Sequence, residues 1–155
     1  MICDHRAVQT NADVDASDLG IERELPLVRC IVARALLDRG DTEAAAAMAR
    51  RAVEATRSLT FSFPLAVCLE TVALICLRQQ AGAEVSARLL AAAAQIRARG
   101  DRPGPPTLRA AVDQARSAAG VASDEPLDVR AAADLAISAL GPAEIGAISQ
   151  SAAST

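Results

Sequence analysis

From Leu25 to Leu140 apolar residues recur every third or fourth position, and Gly, Pro or Asp break the pattern at intervals. This is the helical period; nowhere does the strict alternation of a half-buried strand persist. The first run predicts a helix over 22–39, with Leu25, Val28, Val32, Ala35 and Leu36 on one face. Pro26 falls in its first turns, where a missing N–H does no harm, and Gly40 ends it. Asp41 or Thr42 caps a second helix over 42–57. There Ala45, Met48, Ala49, Ala52 and Val53 face inward, and Arg50, Arg51, Glu54 and Arg57 outward. Pro64 opens a third helix, over 64–80. Leu65, Val67, Leu69, Val72, Leu74, Ile75 and Leu77 make it apolar nearly all round, so it belongs in the middle of a layer, covered on both sides.

Gly82 is expected to close that helix. A fourth follows over 83–99, with Val85, Leu89, Leu90, Ala93 and Ile96 inward. The run GDRPGPP at 100–106 is the strongest break in the chain. A fifth helix over 106–119 points Leu108, Ala111, Val112 and Ala115 inward and ends at Gly120. A sixth starts from the acidic stretch 123–129, where Asp124, Glu125 and Asp128 read as capping residues, and stops before Gly141-Pro142. The organisation this implies is an acidic flexible segment over 1–21, an all-α domain of about six helices over 22–140, and a disordered tail over 141–155.

The first four helices repeat a scheme. Pro26-Leu27 and Pro64-Leu65 open the first member of each pair, with Cys30 and Cys68 at the same offset. Counted from Gly40, alanines stand at Ala45 and Ala52; counted from Gly82, at Ala87 and Ala94. Tetratricopeptide repeats (TPR) similarly need small residues at those two places of the second helix, where the partner helix crosses. Ala33 meets the matching requirement in the first pair, but Ile75 stands there in the second. Ala49 and Ala91 replace the customary bulky rings. The expectation is TPR-like hairpins stacked as a short right-handed solenoid.

Composition adds to this picture. The chain is 52% hydrophobic but 1% aromatic, and alanine supplies much of the apolar count, so helices approach closely while Leu, Val and Ile carry the burial energy. Residues 25–119 are mildly basic and both ends acidic, with a net charge of −3. This is not the dense basic face, interleaved with aromatics, of a nucleic-acid surface. No apolar run is long enough to span a membrane, and no secretory signal pattern opens the chain. Of Cys3, Cys30, Cys68 and Cys76, three lie in apolar helical faces and read as buried reduced thiols, which fits a cytoplasmic location.

Residues 83–140 carry a resemblance. The run AEVSARLLAAAAQIRARGDRPGPPTLRAAVDQARSAAG, followed by DEPLDVRAAADLAISALG, is similar to the C-terminal end of large actinobacterial regulators built from an AAA-type NTPase core and TPR-like repeats. The MalT-like, LuxR-type transcriptional activators and the related cyclase-linked ATPases are of this kind. The resemblance implies a sensor and interaction region that receives a ligand or a protein and restrains or releases the other domains. A chain starting in mid-pattern further suggests a piece of something larger. No GxxxxGK[ST] phosphate loop and no basic helix-turn-helix accompany it here, so this chain by itself is expected neither to hydrolyse ATP nor to bind DNA.

Catalytic chemistry is not expected either. His5, the one histidine, follows Cys3 and Asp4 with no second ligand cluster, so neither a metal site nor a Cys/His pair is foreseen. No cofactor is expected. Arg97, Arg99, Arg102 and Arg109 surround the Pro-rich bend and could grip an acidic group. The candidate functional surface is a groove lined by the first helix of each pair: Leu27, Cys30, Arg34 and Leu37 from one, and Leu69, Val72, Cys76 and Gln79 from the next. Such a groove suits an apolar helix or extended peptide from a protein partner. Covered by the 1–24 segment or by a second copy, the same residues are simply core. The expected function is a non-catalytic interaction module of a larger transcriptional regulator, able to form a homodimer. The alternative is a helical sensor holding a small apolar ligand in that groove.

Overall fold

A computed structural model describes residues 24–58, 63–80, 82–100, 104, 106–120 and 126–142. The expectations for the 1–21 segment, for Cys3 and His5, for Arg102, for Asp124 and Glu125 and for the tail beyond Pro142 lie outside the described residues. Six helices make up the described chain: α1 (Leu25–Asp38), α2 (Thr42–Thr56), α3 (Phe63–Arg78), α4 (Ala83–Gly100), α5 (Pro106–Ala119) and α6 (Val129–Ala139). There is no strand among the described residues. None of their helices is long and apolar enough to cross a membrane.

The helix ends follow from local chemistry. Pro26 sits at the start of α1. Gly40, at φ +84°, closes that helix, with its N–H bonded to Leu37 O at 3.0 Å and the Asp41 N–H to Leu36 O at 2.9 Å. These two bonds form a Schellman motif, which needs the left-handed conformation that glycine adopts without strain. Asp41 then caps α2, its carboxylate accepting from the Ala44 N–H at 3.1 Å. Asp128 caps α6 in the same way, accepting from the Ala131 N–H at 2.7 Å.

Gly82 plays another part than the one expected. The left-handed residue after α3 is Gln80, at φ +59°. Gly82 instead lies where a Cβ would stand 3.1 Å from Cys76 Cβ. It is needed for a close approach rather than for its torsion angles.

α1 packs chiefly on α2, and α3 on α4; α3 also touches α1, α2, α5 and α6. Its central place explains its composition: every residue from Pro64 to Ala73 is buried. Ala33, Ala45, Ala49 and Ala52 have no exposed surface, and their small side chains let α1 and α2 lie close. Ser86, buried at the start of α4, donates to Ala73 O across the α3–α4 contact at 3.1 Å. α6 breaks the serial pairing. It lies against α2, α3 and α4 rather than chiefly on α5, tied to α2 by Arg50 Nη2 donating to Ile137 O at 3.0 Å and by an Arg57–Asp134 ion pair.

Two details of the expected pattern are corrected. The inward face of α1 is Pro26, Cys30, Ala33, Arg34 and Leu37, whereas Val28 and Val32 are 51% and 39% exposed and Ala35 is exposed. Both faces of α1 carry apolar residues at helical spacing, so periodicity could not choose between them. Ala94, assigned to a crossing point, is exposed beside α5.

Candidate functional site

The site begins with an oddity of α3. Between Phe63 and Leu77 its one charged residue is Glu70, and this residue is 4% exposed. A buried carboxylate needs partners. From α4, Arg97 donates Nε to Oε1 at 2.6 Å and Nη2 to Oε2 at 2.7 Å, a two-point clasp that matches the planar geometry of both groups. The Arg97 guanidinium also lies over the Phe63 ring, 5.4 Å from its centroid. Gly104, from the Pro-rich bend, is buried against the same guanidinium; a Cβ there would stand 3.0 Å from Nη2. The bend thus has a packing reason for one of its glycines.

From the other side comes Arg34 of α1. Its Nε donates to Thr71 Oγ1 at 3.1 Å, and Thr71 donates to Val67 O at 2.8 Å. Its Nη2 lies 3.8 Å from Glu70 Oε2, an ion pair without a hydrogen bond. Nη1 and Nη2 are both buried and lack hydrogen-bond partners. Burial lowers the Arg34 pKa, and the Glu70 charge opposes that pull. Two guanidiniums therefore share one carboxylate, with the Asp38 charge a further, weaker influence on Arg34.

Two clefts flank α5, with Leu108 on the wall of both. One, of about 480 Å³, opens between α4 and α5 and is lined by Glu70, Arg97, Gly104, Arg109 and Arg116 among others. The other, of about 350 Å³, lies between α1, α3 and α5. Arg34 is on its wall with Leu37, Leu74 and Leu77, and Asp38, Arg78 and Gln114 are exposed around it.

Of the eight residues proposed for the groove, Arg34 and Leu37 line this second cleft. Cys30, Leu69, Val72 and Cys76 are buried in the core, Leu27 is half-buried and Gln79 is exposed. Their burial gives four of them a packing role, while the cleft draws its apolar wall from Leu74, Leu77 and Leu108 instead. Of the arginines around the bend, Arg97 turns inward to Glu70, and Arg99 and Arg109 are exposed. Glu70 and Thr71 were absent from the sequence-based site. A single carboxylate in an otherwise apolar run was the signal that could have found the cluster.

Cys30 and Cys68, from α1 and α3, bring their sulfurs to 3.4 Å. The neighbouring Cys30 sulfur, together with burial, holds the Cys68 thiol well above its ordinary pKa. Burial pushes Cys76 up as well. Cys68 and Cys76 accordingly stay neutral near pH 7 and behave as small apolar side chains. No family model, no curated protein and no solved structure matches this chain.

Proposed function

We propose that this chain is a non-catalytic, TPR-like helical-repeat module that works by offering a surface to a protein partner, as the regulatory part of a larger transcriptional regulator. The reading treats α1–α4 as two hairpins of a short right-handed solenoid, with α5 continuing the layer of α1 and α3. The outer face of α1 carries it: Val28, Ile31 and Val32 are 51%, 61% and 39% exposed. Three adjacent large apolar residues on the first described helix are what a repeat stack offers to a further helix. The partner is an apolar helix, belonging to the remainder of the regulator or to a second copy. A cytoplasmic location is part of the same proposal, supported by the buried free thiols.

The test is sedimentation and site-specific crosslinking. A photo-reactive side chain at Ile31 should crosslink to a second copy or to a helical segment of the parent regulator, and Ile31→Glu should abolish that association with helix content unchanged. A chain that stays monomeric at high concentration and fails to crosslink to either would refute the proposal.

A further inference from the structure

We infer that the cleft between α1, α3 and α5 is a binding site for a small amphipathic monocarboxylate, its carboxylate on Arg34 and its aliphatic chain against Leu37, Leu74, Leu77 and Leu108. Glu70 does not satisfy both of its arginines. Both oxygens of Glu70 are engaged by Arg97 at 2.6 and 2.7 Å, while Arg34 stands 3.8 Å from the nearer one. Arg34 is 8% exposed, its Nη1 and Nη2 have no hydrogen-bond partner, and it lines the cleft. A buried guanidinium with two unmatched nitrogens is costly; neither nitrogen has open surface as it stands, so a carboxylate in the cleft takes the fork geometry once the Arg34 side chain turns toward it.

The rest of the cleft sets the ligand class. Its volume of about 350 Å³ is at the low end of the range for small-ligand sites, roughly 300–1,000 Å³. The walls named above are leucines, which favour an alkyl chain over a sugar or nucleotide. Asp38 and Arg78 are both exposed at the cleft, and although the Asp38 charge also acts on Arg34, two guanidiniums against one carboxylate leave the lining net positive. Val28, Ile31 and Val32 do not line this cleft, and the ligand is proposed without regard to what binds that face.

The experiment is isothermal titration of the full chain with octanoate, octanol and acetate, which separate charge from chain. Octanoate is expected to bind at least tenfold more tightly than octanol or acetate. Arg34→Met should remove that preference, and Gln114→Trp, at an exposed cleft position, should weaken octanoate at least tenfold by filling the space. Circular dichroism checks that both variants fold. If Arg34→Met does not fold, the octanoate–octanol ratio and Gln114→Trp still decide. Equal binding of octanoate and octanol, octanoate binding untouched by Gln114→Trp, or binding only of a peptide with a C-terminal leucine would overturn the inference.

Discussion

Helices α1 and α3 start alike, with Pro-Leu and a cysteine at a common offset, yet they end in different surroundings. Ile31 and Leu69 both stand five residues after the opening proline. Ile31 is 61% exposed and Leu69 fully buried. One position later, Val32 is 39% exposed while Glu70 is 4% exposed. The apolar residue is in the open and the carboxylate inside, the reverse of what hydropathy alone would place. The difference teaches that the number of packed neighbours governs burial here. α3 touches the five other helices, whereas α1 packs chiefly on α2 and α3, so α3 must satisfy a buried charge with arginines from α1 and α4.

The largest test of this contrast exchanges side chains at that register. Glu70→Val leaves Arg34 and Arg97 buried without their shared anion and should cost about 3–5 kcal/mol. Val32→Glu at the partly open position should change stability by less than about 0.5 kcal/mol. Urea unfolding of both variants measures the gap, and similar losses would break the comparison. Next comes truncation at the shared offset: Leu69→Ala should cost about 2–5 kcal/mol, and Ile31→Ala less than about 0.5 kcal/mol.

Smaller effects sharpen the contrast by being blind to it. Asp41→Ala and Asp128→Ala each remove one cap bond on an exposed helix end and should cost about 1 kcal/mol apiece, although their helices lie in different parts of the fold. Thermal unfolding of the two variants would show this equality. The smallest effect concerns the α3 thiols. Cys68 and Cys76 have folded pKa values raised by burial, and for Cys68 by the neighbouring sulfur first. The folded state therefore holds protons that the unfolded chain releases. Their contribution is complete below the unfolded thiol pKa of about 8.5 and is lost as pH rises through the folded values. Cys76→Ala should flatten the decline in stability above about pH 8.5, read from urea unfolding at pH 7 and pH 10.

Helix identity was legible because it rests on local causes. Gly40, Asp41, Gly120, Asp128 and Gly141 terminate or cap helices through bonds to nearby residues. The inward faces of α2, α4 and α5 were legible because each has one apolar stripe. α1 has two, Val28, Ile31 and Val32 on one side and Cys30, Ala33 and Leu37 on the other, and spacing cannot rank them. Of the candidate site, Arg34, Leu37, Arg97 and Arg109 were legible; residues from helices far apart in sequence meet there, and no local pattern encodes the meeting.

By itself the chain determined where most of the helices begin and end, that alanine lets them lie close, and that α3 occupies the centre. Only the tertiary structure decided which side of α1 faces α3, that α6 returns to α2 and α4, and that Glu70 is held between Arg34 and Arg97. Caps and periodicity act over a few residues, whereas these choices depend on which surfaces remain uncovered once the other helices are in place.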